Sequence, residues 1–259
     1  MNDALQNLAE LVRTDFVTAV LVFLRVGAAM ALLPAFGERS VPQRIRLSLA
    51  LAFSIVIFPA VSDRLAPVVS AQDPQPVFLA TEVIAGLVIG IVLRLFILAL
   101  QMAGSIAAQS TSLSQIFGGA AGVEPQPAIG HIMVVAGLAL AVITGLHVRI
   151  AEVFILSYDM MPAGVFPGPG MLSEWGIGRI AKAFSLAFSL AAPFIVASLI
   201  YNVTLGVINR AMPQLMVAFI GAPAITAGGL ILLFLVLPSL LSVWSAAFSE
   251  LLANPFRGP

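Results

Sequence analysis

The residues able to do chemistry are few and far apart. The chain carries two histidines, His131 and His147. They stand 16 residues apart on one predicted helix, 129–148. That is about 24 Å along an ideal helix axis, so a single metal ion cannot take both. There is no cysteine, which excludes disulfides, thiolate metal sites and a cysteine nucleophile. No cluster of Asp and Glu offers another metal site. No nucleophile, base and orienting group stand in a recognisable constellation. The expectation is a protein that is not an enzyme, with no metal and no cofactor.

The remaining candidates are two arginines inside apolar runs, Arg25 in "VFLRVGAAM" and Arg94 in "IGIVLRLFIL". A cation at membrane depth is costly, and by default it marks function or interaction. Glu82 precedes Arg94 by 12 residues on the same predicted helix, about 18 Å away, too far for a direct pair. Two readings stand. The arginines snorkel or meet carbonyls within the chain, or they sit in a protein assembly where they find partners. No helix carries a ladder of ionisable residues, which weighs against a proton-coupled pump.

These positions need apolar elements to hold them, and composition supplies them. Of 259 residues, 60% are hydrophobic and only 9% charged, with a mean hydropathy of +1.08. Soluble domains usually carry about 25% charged residues. Lys plus Arg and Asp plus Glu number 12 each, so there is no basic excess for nucleic acid. The expected partner of this surface is a lipid bilayer or other apolar chains. Candidate spanning helices are 16–35, 47–61, 77–104, 129–148, 180–207 and 214–248. The first is a retained helix rather than a secretory signal, because its leading residues are acidic. The last is long and contains Pro223 and Pro238, so it must break, tilt or leave the membrane. Segments 62–76 and 157–179 are rich in proline and are expected to be polar-side connectors. Arg39, Arg44 and Arg46 place the first loop in the cytoplasm. Arg149, Arg179 and Lys182 fit that scheme poorly, so the span count or the manner of crossing departs from the ordinary. Gly86 and Gly90 in "GLVIG" and the alanines of "AFSLAFSLAA" form small-residue ridges, for packing within the chain or between subunits.

Two segments interrupt the apolar pattern. Residues 109–130, "QSTSLSQIFGGAAGVEPQPAIG", lack Lys and Arg. Their small residues, with Leu113, Ile116 and Phe117, suit the lining or plug of a pore, or else an ordinary surface loop. Gly118 and Gly119 make the backbone permissive. Residues 209–223, "NRAMPQLMVAFIGAP", place Asn209, Arg210, Pro213 and Gln214 between apolar runs. They are expected to form the tight turn of a helical hairpin, 180–208 with 214–248.

Three blocks together resemble the FliR/SctT family of type III export-gate subunits. They are "FLRVGAAMALLPAFGERSVPQRIRLSLALAFSIVIFP" (23–59), "EVIAGLVIGIVLRL" (82–95) and "LGVINRAMPQLMVAFIGAP" (205–223). The chain departs from the family pattern at Met216-Val217, at Gly221-Ala222-Pro223 and in "ITGLHV". The resemblance implies an all-α integral membrane protein of about six hydrophobic helices, arranged as bent hairpins in a hetero-oligomeric gate. It would be a single domain over 1–259, with a plug-like loop at 109–128 and a C-terminal hairpin over 180–248. Such a subunit joins FliP-like and FliQ-like chains and cytoplasmic export-gate membrane proteins in the bacterial inner membrane, at the flagellar basal body. Unfolded flagellar subunits pass through the pore, which the plug closes. The resemblance makes 209–214 a candidate contact for neighbouring subunits. An injectisome subunit shares these blocks. A small-solute transporter would need an inverted repeat, which the sequence lacks, and a pure assembly scaffold would need no pore-lining segment.

Overall fold

The structure is a computed structural model that describes residues 2–38, 40–71, 76–111, 128–212 and 217–256. The described residues are mostly helical, without strands. Seven helices succeed one another: α1 (Asn2–Met30), α2 (Gln43–Ala71), α3 (Pro76–Ser110), α4 (Ala128–Ile143), α5 (Leu146–Met160), α6 (Pro169–Ala211) and α7 (Val217–Ala253). Four are long and apolar enough to cross a membrane, within α2, α3, α6 and α7. The broken pair α4–α5 makes a fifth if it is one span. The chain is an all-α integral membrane protein that crosses several times.

Several expected boundaries shift, each for a physical reason. The apolar run 16–35 is not among the spanning candidates. Its helix stops at Met30, where Leu32 and Leu33 N–H both turn back to the Ala29 carbonyl ahead of Pro34. Two thirds of the 62–76 connector is helix, because α2 continues through Pro67 to Ala71. Ile57, Val61, Leu65 and Val69 recur every fourth residue and are buried, and that stripe outweighs the proline's lost hydrogen bond. The predicted helix 129–148 breaks at Gly145, whose φ of 85° lies in the left-handed region. His131 and His147 therefore fall on separate helices. The 157–179 connector shrinks to 161–168. Pro169 opens α6, a position where a missing N–H costs nothing.

The chain divides into two compact units. The first comprises Met1–Leu95, Val142–Arg179 and Glu250–Pro259. Within it, Leu21, Val69 and Phe78 bury a small cluster from α1, α2 and α3. Gly86 and Gly90 face α1. A Cβ on Gly86 would stand 2.1 Å from the Arg25 carbonyl oxygen, and one on Gly90 3.0 Å from that of Ala29. The "GLVIG" ridge thus packs within the chain.

The second unit comprises Phe96–Ala141 and Ile180–Ser249. Trp244 is fully buried, donates Nε1–H to the Phe96 carbonyl at 2.8 Å and stacks on Phe248 at 5.1 Å. Ala183, Ala187 and Ala191 of the alanine ridge are buried, whereas Phe184 and Phe188 beside them are more than half exposed or close to it, at 50% and 58%. Trp244→Phe keeps one aromatic ring but deletes the donor and the rest of the indole, which leaves a buried gap. We expect a loss of about 2–3 kcal/mol, read as an earlier thermal unfolding of the detergent-purified protein.

Candidate functional site

The plug-like residues Leu113, Ile116, Phe117, Gly118 and Gly119 lie outside the described residues, but both flanks of their segment are defined. On one side α3 runs through Ser110, two residues into the expected loop. Thr111 closes the helix end, donating its N–H at 3.1 Å and its hydroxyl at 3.0 Å to the Ala107 carbonyl. On the other side α4 starts at Ala128. The two helices meet backbone to backbone. A Cβ on Gly104 would fall 2.1 Å from the Cα of Gly130 and 2.6 Å from its nitrogen. A third helix meets α3 about two turns further on, where a Cβ on Gly229 of α7 would stand 2.7 Å from Thr111 Cγ2. The helices that flank segment 112–127 are therefore held by close glycine contacts, α3 to α4 at Gly104 and α3 to α7 at Thr111.

Arg25 stands five residues from the end of α1 and is 1% exposed. Its guanidinium donates Nε–H and Nη2–H to the two carboxylate oxygens of Glu82, at 2.7 and 2.8 Å. Nη1–H goes to Ser157 Oγ at 2.9 Å, and Nη2–H also reaches the Met161 carbonyl at 2.8 Å. The Tyr158 ring lies beneath the guanidinium carbon at 3.7 Å. Four donors of the rigid fork are thus used, in the bidentate geometry that suits Arg rather than Lys. The partner lies inside the chain, so an external assembly is not needed to satisfy this cation. Sequence reasoning set Glu82 only against Arg94 and missed it as the partner of Arg25. Their separation of 57 residues leaves no local signal.

Arg94 lies in the middle of α3, as expected. It pairs with Glu38, whose carboxylate accepts from both Nη1 and Nη2. The Glu38 carbonyl accepts in turn from Arg46 Nη2 at 2.6 Å. Around this corner Phe36 meets Phe53 edge to face at 5.8 Å. A Cβ on Gly37 would strike the Ala31 carbonyl oxygen at 2.7 Å. The first motif block, residues 23–59, therefore builds the α1–α2 corner and ties it to α3. Asn209 and Arg210 do not form a turn. They are exposed in the last turn of α6, which ends at Ala211 with Met212 N–H bonded back to Ile208. Pro213 restricts only the residue before it, so the helix survives to that point. Pro213 and Gln214 lie outside the described residues.

Residues 16–251 match the family described as Bacterial export proteins, family 1. The chain belongs to that family. Its blocks at 23–59, 82–95 and 205–223 all lie within the matched stretch. Among its relatives is the flagellar biosynthetic protein FliR of Caulobacter vibrioides, 34% identical over 235 residues, which cover 90% of this chain and 94% of the relative. The Escherichia coli protein of the same name is 29% identical, with 88% and 87% covered. That of Bacillus subtilis is 25% identical, with 90% and 91% covered. The likeness is thus spread along these export proteins rather than confined to one motif. The described residues hold no group of three or more His, Cys, Asp or Glu able to bind a metal.

Proposed function

We propose that this chain is a subunit of the flagellar type III protein export gate in the bacterial inner membrane, at the flagellar basal body. It would conduct and gate unfolded flagellar proteins and carry out no covalent chemistry. The observation that carries this reading is the match over 16–251, together with near full-length likeness to FliR proteins of several bacteria. The apolar exposure of α6 and α7 supports it. Leu199, Ile200, Val203, Phe234 and Leu235 are each at least 59% exposed, a surface for lipid or for FliP-like and FliQ-like neighbours. In this reading residues 109–124 line or plug the pore, with Leu113, Ile116 and Phe117 as obstructing side chains, and 209–214 meets neighbouring subunits or cytoplasmic export-gate proteins.

The test is made in a motile strain lacking its own copy of this protein. The chain should restore motility and co-purify with FliP-like and FliQ-like partners in mild detergent. A stable chain that restores nothing and brings down neither partner would sink the reading. Deleting 113–119 keeps the Thr111 anchor. The deletion should leave assembly intact and make cells leak ions or small solutes. An assembled deletion variant with unchanged permeability would remove the plug assignment.

A further inference from the structure

The corner between α1 and α2 carries a surplus of positive charge. Arg44 and Arg46 stand in the first turn of α2, which holds no acid. Arg94 reaches the same corner from α3 and occupies both carboxylate oxygens of Glu38. Arg46 is tied in by donating to the Glu38 carbonyl at 2.6 Å. Among the described residues of this corner, three cations thus meet one carboxylate. Arg44 is the exposed member. Its carbonyl accepts from Ser48 Oγ at 3.0 Å, but among the described residues its guanidinium has no partner. That fork is open to an anion.

What lies below Arg44 selects the kind of anion. Leu51 and Ile55 share its side of α2, because steps of 7 and 11 residues return to nearly the same angle of a helix. They are 47% and 72% exposed. The spanning candidate in α2 is Gln43–Ser70, 28 residues. That makes about 42 Å, the thickness of a bilayer with its headgroups rather than of the hydrocarbon alone. Arg44 therefore falls in a headgroup layer, and Leu51 lies about 10 Å deeper, among acyl chains. A free anion would leave the apolar stripe bare. A neighbouring protein helix would have to bring a carboxylate to this one level. The bilayer supplies phosphodiesters there on every lipid molecule, each joined to hydrocarbon, and the planar guanidinium fits phosphate oxygens two at a time.

We propose that this corner binds a phospholipid of net negative charge. Arg44 holds its phosphodiester, the surplus charge of Arg46 and Arg94 attracts it, and an acyl chain runs along Leu51 and Ile55. The proposal rests on the chain's place in a membrane and not on its role in export.

The full chain, purified in mild detergent with whatever accompanies it, is offered equal amounts of two lipids. One is palmitoyl-oleoyl phosphatidylglycerol, and the other is the phosphatidylethanolamine with the same acyl chains and no net charge. Native mass spectrometry at low salt identifies the last lipid retained as the collision energy rises. The wild type should prefer phosphatidylglycerol. Arg44→Gln should cut that preference about fivefold, the effect of one arginine at an anionic surface, and Arg44→Lys should keep most of it. Arg64→Gln is the control. Arg64 is exposed too, but it stands near the other end of α2 and is already paired with Asp159 at 2.6 Å, so its loss should leave the preference unchanged. Equal retention of the two lipids by the wild type overturns the proposal. So does a preference that Arg44→Gln leaves intact, or that Arg64→Gln lowers as much. A polypeptide lost on Arg44→Gln while the lipid stays overturns it as well, and assigns the corner to a protein partner.

Discussion

Arg25→Met should be among the most damaging single substitutions in this protein. It leaves the Glu82 carboxylate, 0% exposed, without the two guanidinium N–H groups that hold it. Breaking one side of a buried ion pair costs about 3–5 kcal/mol, a large part of the stability of an ordinary domain. Glu82→Leu should be similarly damaging, because it strands a guanidinium in the same site. The double variant Arg25→Met with Glu82→Leu should recover most of the loss, since two apolar groups of similar volume need no desolvation. Arg25→Lys should fail. An ammonium cannot hold the carboxylate side-on while also reaching Ser157 and Met161. The readout is protein level in membranes and the midpoint of thermal unfolding in detergent. Single variants as stable as the wild type would show that the pair is not what joins α1, α3 and α5.

This cluster also shows where sequence reading stops. The intramembrane arginines were visible because charge is rare in this chain. The rejection of Glu82 as a partner for Arg94 was correct, since a helix fixes axial distance. The same arithmetic says nothing about partners on other helices, so both true partners, Glu82 and Glu38, were out of reach. The small residues tell a similar story. Gly86 and Gly90 announced a close helix contact, but not that the contact was with α1. Proline misled the reading of helix ends. Pro67 and Pro169 were read as breakers, yet one is carried by a buried stripe and the other occupies the first helical position. Only Gly145, unremarkable by composition, breaks a helix among these cases. Its cause is a backbone conformation, which composition does not report.

The second large effect concerns Gly104, which no sequence pattern singled out. Gly104→Ala places a methyl group 2.1 Å from the Cα of Gly130. The obstacle is backbone, so no rotamer change relieves it, and α3 must separate from α4. Ala103, Ala107, Ala108, Ile129 and Met133, each 0% exposed, then lose contacts together. Overpacking in a close-packed interior costs about 1–3 kcal/mol, and a backbone clash belongs at the upper end of that range. Gly130→Ala is the internal control. Its Cβ would meet nothing nearer than 3.6 Å, and alanine favours helix over glycine by up to about 1 kcal/mol, so this variant should be neutral or slightly stabilised. The two residues form one contact, yet only one should be sensitive. If they behave alike in thermal unfolding, the backbone-to-backbone approach of α3 and α4 is wrong. If Gly104→Ala is destabilised but still assembles, the position of the contact gives it a second signature. It joins the two helices that flank segment 112–127, and spreading those helices should let the proposed plug seat poorly. Such cells should then leak ions as the 113–119 deletion does, whereas Gly130→Ala cells should stay tight.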